Sequence, residues 1–271
     1  MPQGYLMPTQ PCKIYHNTLT PTGVSPYSYS LNFHENAELL CCVSGDGRVM
    51  VKDQNYRMLP GDILIVHPGV LHQVLPPGNR FEIYCLILNS SFCRNFGFDL
   101  ETMKFDCHFS DTVCAGSIAA LHELYIKYSA ADKISAARLI SSFSALILYL
   151  MERHLISDNY KEACSSTENT VKSAIKFIQN NYHKKITLDL ISDELYVNKF
   201  YLCKIFRHYT GMSVVTYINE LRLTQARLML QEGLKVSEVC EKCGFTGQSY
   251  FTRLYKKRYN ILPSESIMSA R

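Results

Sequence analysis

The 271-residue sequence lacks any uninterrupted apolar run of the roughly 18 residues that a membrane span needs. Its first residues lack a basic stretch followed by an apolar core, so no export signal is expected. Charged residues are modest at 19%, against 47% hydrophobic, which argues against a disordered chain. It lacks a disulfide framework as well. The 11 cysteines are odd in number and scattered, several inside apolar runs such as Leu39-Leu40-Cys41-Cys42-Val43. They read as reduced thiols of a cytoplasmic protein. One spaced pair, Cys240-x-x-Cys243, lacks the second pair or nearby histidines that a zinc site wants, so buried core is expected there. At this length, two domains are the expectation.

Charge divides unevenly along the chain. Residues 1–167 carry a net −3 and residues 168–271 a net +7. A basic C-terminal third on an acidic body suits a nucleic-acid module joined to one that does not bind nucleic acid. Within that basic third one pattern occurs twice. Tyr201-Leu202-x-x-Ile205-Phe206 aligns with Tyr250-Phe251-x-x-Leu254-Tyr255 at an offset of 49, and Ile191-Ser192 aligns with Val239-Cys240 at an offset of 48. Each copy reads as a short helix, a turn and a second helix. Thr187 and Asn198 are expected N-caps of the first copy, and Thr246 or Gly247 opens the second helix of the last copy. Leu202, Ile205, Phe206 and Tyr209 repeat at helical spacing and face inward, as do Phe251, Leu254 and Tyr255. Left outside are Phe200, Cys203, Lys204 and Arg207 in one copy, and Gln248, Ser249, Thr252, Arg253 and Lys256 in the other. For a single helix such a face is more often merely solvated. Two matched copies in a basic segment point to helices that enter the major groove of double-stranded DNA, about 12 Å wide. Lys204 and Arg253 have the reach for a guanine edge and Gln248 suits an adenine. Lys199, Arg207, Lys256 and Lys257 lie toward the flanks, where phosphates run.

This segment resembles the double helix-turn-helix domain of the AraC/XylS family of bacterial transcription regulators. The residues that carry the resemblance are Leu202-x-x-Ile205-Phe206, Gly211, the run Tyr217 to Arg222 to Ala226, Gly244-Phe245, Gln248-Ser249-Tyr250-Phe251 and Pro263. The sequence departs from the family pattern at Ser192 and Cys240, where a small Ala is usual, and at Tyr196, where a turn Gly is usual. Ser266 and Ile267 also replace the usual Tyr and Arg. The helix Ser213–Gln231 is expected to join the two units through Tyr217, Leu221, Ala226 and Leu228, and Thr170–Tyr182 to be the first helix of the domain.

Upstream, Pro2, Pro8, Pro11, Pro21 and Pro26 mark residues 1–26 as an N-terminal arm. From Tyr27 onward short alternating stretches separated by Gly45-Asp46-Gly47, Pro60-Gly61-Asp62, Pro68-Gly69 and Pro76-Pro77-Gly78 predict a sandwich or barrel of short strands. His34, Glu38, these first three turns and His72 make the region similar to the cupin barrel that many AraC-type regulators carry as a sensor. The polar set Ser30, Asn32, His34, Glu38 and His72 is expected to line a pocket for a small-molecule effector, and suits a sugar or other hydroxylated metabolite. Metal-dependent cupins ligate metal at such positions, but residue 36 is Asn where their second histidine stands, so neither a metal nor a cofactor is expected. His67 is left between a pocket role and simple turn support. Two helices follow, about 111–129 and 135–155. In the second, Ile140, Phe143, Ile147 and Leu150 form a narrow seam, widened by Leu139 and Leu146. One side of that helix is expected to cover the barrel and the other to meet a second subunit. Residues 157–169 read as a polar linker.

The reading is an α+β two-domain chain: a cupin-like β-barrel with dimerisation helices over residues 1–156, and an all-α double helix-turn-helix domain over residues 170–271. It implies a cytoplasmic, effector-controlled regulator that is a homodimer, acts with RNA polymerase, avoids membranes and has no catalytic residues. The alternative is a metal-binding cupin enzyme or metal sensor fused to a DNA-binding domain. A DNA-architectural protein without a ligand is the third class.

Overall fold

The computed structural model describes residues 10–20, 31–52, 54–75, 77–128, 132–159 and 165–268. They divide into two compact units, residues 10–20 and 31–159 in one and residues 165–268 in the other.

The first unit contains strands β1 (Cys12–Leu19), β2 (Ala37–Gly45), β3 (Gly47–Val51), β4 (Gln54–Met58), β5 (Asp62–Val66), β6 (His72–Leu75), β7 (Phe81–Leu88), β8 (Lys104–Phe105), β9 (His108–Ser110) and β10 (Leu155–Ser157). Its helices are α1 (Ser90–Asn95), α2 (Thr112–Ile126) and α3 (Lys133–His154). A five-stranded sheet runs β1-β7-β2-β5-β9, a three-stranded sheet runs β4-β3-β6, and β8 pairs with β10; all pairs are antiparallel. Alternation along the central strands sorts side chains to two faces. Leu40, Cys42, Leu64, Val66, Phe81 and Ile83 meet Val49 and Met58 of the small sheet in one core. Leu39, Cys41, Ile63, Ile65, Leu86 and Leu88 point the other way, onto α2 and α3. β2 and β7 are therefore apolar on both faces, as strands buried on two sides must be. The β2–β3 turn requires glycine at Gly45: φ is +88°, and a Cβ there would lie 2.1 Å from the Arg80 carbonyl oxygen.

The expected N-terminal arm is corrected by β1, which pairs with β7 without interruption from Cys12↔Leu88 to Leu19↔Phe81. Residues 12–19 are free of proline and place Cys12, Ile14 and Leu19 in the cores, so the prolines on either side bound a strand. Of the strand expected from Tyr27, residues 27–30 lie outside the described residues, and Asn32 makes an isolated bridge to His72.

The seam on α3 is also corrected. Leu139, Phe143, Leu146, Ile147 and Leu150 are buried in the protomer's own core against the large sheet, and Ile140 is half-buried beside them. Leucine and isoleucine at a narrow helical spacing pack as well on a sheet as on another helix. The face that remains exposed carries Ile134, Ala137, Ser141, Ala145 and Leu148. By length and hydropathy α3 could cross a membrane, but its buried side is built into this core.

The second unit is all helical: α4 (Ser166–Asn181), α5 (Leu188–Glu194), α6 (Lys199–Thr210), α7 (Val214–Gln231), α8 (Val236–Lys242), α9 (Gln248–Tyr259) and α10 (Pro263–Met268). α4 begins inside the expected linker because Ser165 caps it, accepting from the Glu168 N–H at 3.0 Å. Val171, Ala174, Ile175 and Ile178 form its buried stripe. On α7 the buried positions are Val214, Tyr217, Ile218, Leu223, Ala226, Arg227 and Leu230, while the expected Leu221 and Leu228 are half-buried. Gly244 has φ +75°, and a Cβ on it would lie 2.5 Å from the Tyr182 carbonyl oxygen, so only glycine lets the α8–α9 turn approach the end of α4 this closely.

Candidate DNA-reading helices and a buried histidine–glutamate cluster

The two repeats fold alike. In the first, Thr187 Oγ1 accepts from the Leu190 N–H at 3.1 Å and opens α5, and Asn198 Oδ1 accepts from the Phe200 N–H at 2.8 Å and opens α6. Ile191 and Ser192 are buried on α5, and Leu202, Ile205 and Phe206 on α6. In the second, Val239 and Cys240 are buried on α8, and Phe251 and Tyr255 on α9. Gly247 is the N-cap residue of α9 and contributes no side-chain bond. Cys240 and Cys243 both belong to this core.

Turning those residues inward leaves the polar fronts outside. Lys199, Phe200, Lys204 and Arg207 are exposed on α6, with Cys203 half-buried between them. Gln248, Ser249, Arg253, Lys256 and Lys257 are exposed on α9, with Thr252 half-buried. Lys199 Nζ is 2.7 Å from Asp189 Oδ1, so this cation also ties α6 to α5. The Arg253 guanidinium lies 5.5 Å from the Tyr250 ring centroid, which steers its side chain. Two further arginines are internal struts. Arg258 Nε donates to Glu220 Oε2 at 2.7 Å and joins α9 to α7, while Arg222 donates to the carbonyls of Tyr182 and Lys184. Tyr196, in the turn of the first copy, has φ 54° and is 96% exposed, so it carries left-handed strain without packing compensation. On α6 Phe200 is 75% exposed.

In the first unit, backbone pairing brings together the loop before β2 and the start of β6. Asn32 and His72 exchange N–H···O bonds of 2.9 Å, and the Gly69 N–H donates to the His34 carbonyl at 2.7 Å. Glu38, on the inward face of β2, then stands between two imidazoles. His34 Nε2 is 2.9 Å and His72 Nε2 is 3.0 Å from the same atom, Glu38 Oε2. The other carboxylate oxygen accepts from the Cys85 thiol of β7. Each imidazole is fixed from behind, for His34 Nδ1 lies 2.7 Å from the Asn36 carbonyl and His72 Nδ1 lies 2.9 Å from the Val70 carbonyl. All three side chains are largely excluded from solvent. Burial alone would raise the Glu38 carboxyl, but hydrogen bonds from His34 and His72 outweigh it and hold Glu38 far below the ordinary range. Burial would lower His34, yet its bond to Glu38 and that carboxylate's charge leave it raised. Burial first, then the charge of Glu38, push the Cys85 thiol well up, so it stays an S–H donor.

The structure thus gathers His34, Glu38 and His72, and brings Asn32 in through its backbone. Ser30 lies outside the described residues. Cys85 was missed in the sequence, although its place on the Phe81-Ile83-Cys85 face aims it at the same interior. His67 is turn support, its Nε2 accepting the Phe105 N–H at 3.1 Å. A cavity of about 10 Å³ beside it, lined by Leu39, Phe105, Ile147 and Leu150, has room for little more than a water.

Residues 191–267 match the helix-turn-helix domain family, and residues 23–146 match the AraC-like ligand binding domain family. The chain is 23% identical over 242 residues to the HTH-type transcriptional activator RhaR of Escherichia coli, covering 86% of this chain and 84% of that protein. It is also 23% identical over 222 residues to the uncharacterized HTH-type transcriptional regulator YbfI of Bacillus subtilis, with 81% and 80% covered. Among solved structures it is similar to ToxT of Vibrio cholerae, with a TM-score of 0.53 at 14% identity over 95% of this chain and 97% of that one. The ToxT structure solved with an unsaturated fatty acid bound matches with a TM-score of 0.52 at 14% identity, covering 95% of each chain. The shared fold is the two-domain one, a β-rich N-terminal domain and a helical C-terminal domain.

Proposed function

This chain belongs to the AraC family of transcription regulators, with an N-terminal ligand-binding domain and a C-terminal helix-turn-helix domain, and from that premise we propose how each part works. The observation that carries the proposal is the pair α6 and α9: matched buried backs, polar fronts and a basic segment around both. We assign base reading to Phe200, Cys203, Lys204, Gln248, Ser249, Thr252 and Arg253, and phosphate contact to Lys199, Arg207, Lys256 and Lys257. The first helix offers Cys203 where a strong bidentate reader would sit, so the second helix carries more of the specificity. The DNA-binding domain takes in residues 166–169 as well as 170–271, since α4 starts at Ser166.

The effector site is centred on His34, Glu38 and His72. Their polar atoms are gathered in an otherwise apolar interior, which favours a hydroxylated or otherwise polar small molecule over a purely apolar one. Effector control requires that the ligand bind two arrangements of the protein with different affinity. The protein acts in the cytoplasm as a homodimer, through the exposed Ile134–Leu148 face of α3, and meets RNA polymerase at its promoters. The RhaR relative, an activator, supports activation as the direction of control. The chain is assigned no catalytic step. Hydroxyl-radical footprinting of the full-length protein on its own upstream DNA tests the reading. Two protected major-groove faces about 34 Å apart along the duplex are expected from each chain. A single protected face would remove one of the two helices from the interface.

A further inference from the structure

We propose that Cys240, Cys243 and Met229 form a binding site for one soft monovalent ion of the Cu(I) class, inside the second helix-turn-helix copy. The site uses none of the residues assigned to DNA reading or to the effector, so it stands or falls independently of both.

Sulfur gathers here from two elements. Cys240 on α8 and Cys243 at its C-terminal cap are three residues apart, which brings the Cβ atoms of a helical pair to about 5–6 Å. Met229 reaches them from α7, its Sδ 3.9 Å from Cys243 Sγ. Both cysteines are buried in the core of the second copy, and Met229 packs against that core. The second thiol is a feature of this chain, since a small Ala is usual at position 240 in the family pattern.

The donor set selects the ion. Two thiolates and a thioether are soft ligands, which favour Cu(I) over harder cations. Three sulfurs about 2.3 Å from one ion in a trigonal plane lie about 4 Å apart. The 3.9 Å between Cys243 and Met229 matches that spacing without movement. A structural zinc asks for four ligands. Among the described residues no third histidine, cysteine, aspartate or glutamate gathers with this pair.

The surroundings allow the protons to leave and the charge to balance. Burial pushes the Cys243 thiol up to about 12 and raises Cys240 as well, so both are S–H groups without an ion. Their hydrogen bonds are long, Cys240 to the Phe245 carbonyl and Cys243 to Met229, each at 3.9 Å. Little is lost when an ion replaces those protons. Binding forms two copper–thiolate bonds, releases two protons to solvent and leaves one net negative charge. Arg222 offsets it. Its guanidinium is near enough to Cys243 to favour the thiolate, and it is held by bonds to the Tyr182 and Lys184 carbonyls. An ion at this point ties α8 to α7 in the core on which α9 rests.

The test uses the full-length protein, reduced and kept free of oxygen, with Cu(I) supplied as its bicinchoninate complex. One ion per chain should be withdrawn from that chelator. Cys240→Ala should weaken binding by about a hundredfold and Met229→Leu by about tenfold. Ala is usual at 240 and leucine is close to methionine in volume, so both variants keep the fold, as melts of the ion-free proteins check. Because two protons leave, the affinity of the unaltered protein should fall about a hundredfold for each pH unit of acidification. In selenomethionine-labelled protein the copper X-ray absorption should show one selenium and two sulfur neighbours, a readout that needs no substitution. Absence of stoichiometric Cu(I), an unchanged affinity in Cys240→Ala, a copper shell without selenium, or tighter binding of Zn2+ than of Cu(I) overturns the site.

Discussion

At the scale of single residues, Arg253 and Lys256 stand on one helix and are expected to do different work. Arg253 is on the exposed front of α9 and steered by Tyr250, so Arg253→Ala should weaken the cognate site by about 1–3 kcal/mol and relax preference at one base position. Lys256→Ala should weaken all sequences alike and flatten the salt dependence by about one unit. Titrations at several salt concentrations separate the two. Two turn positions give stability predictions. Tyr196 sits at φ 54° with 96% of its surface exposed, so Tyr196→Gly should leave stability unchanged or raise it by up to about 1 kcal/mol. Gly244→Ala should lower it by about 2–4 kcal/mol, since the new Cβ meets the Tyr182 carbonyl. Urea denaturation of both variants checks the signs. The strain at Tyr196 was legible through the family resemblance, which implies a glycine at that turn position. The contact of Cys85 with Glu38 was not. Nothing in an apolar strand says which of its side chains will meet a buried carboxylate across a sheet.

At the scale of elements, Asp111 joins two helices. It caps α2 by accepting from the Val113 and Cys114 N–H groups, and its other oxygen accepts from Tyr149 and meets His154 near the end of α3. Burial would raise its carboxyl, but these hydrogen bonds outweigh burial and lower it below the ordinary 3.8. A depressed acid stabilises the fold above its unfolded value and loses that contribution as pH falls through the folded one. Asp111→Asn should therefore destabilise the protein near neutral pH, with the gap to the parent closing below about pH 4, as followed by thermal melts across pH. For α3, Ile147→Glu should unfold the first unit, since Ile147 is 1% exposed in its core. Leu148→Glu, at 53% exposure, should leave the unit folded and turn a dimer into a monomer in sedimentation. An unchanged dimer in Leu148→Glu would remove this face from the interface. Periodicity showed that α3 buries a stripe but not against what, because sheet and partner helix ask for the same residues. In the helix-turn-helix copies the repeat itself supplied the missing information: two helices with the same inward set can share only one kind of environment. β1 escaped notice because its flanking prolines dominate the composition of that stretch, while the proline-free residues 12–19 between them are what pair with β7.

At the scale of the whole molecule, the division of charge follows the division of labour. The net +7 of residues 168–271 belongs to the helical unit that reads DNA, and the net −3 of residues 1–167 to the unit that binds the ligand. In the proposed reading α6 and α9 both read base sequence, with α9 reading more of it. Binding of the full-length protein to a randomised duplex library at fixed salt, alongside Arg253→Ala and Lys204→Ala, tests it most directly. Two blocks of base preference about one helical turn apart are expected, the stronger one relaxed by Arg253→Ala and the weaker one by Lys204→Ala. Equal weakening of every sequence by both substitutions would contradict it, since both side chains would then be phosphate anchors.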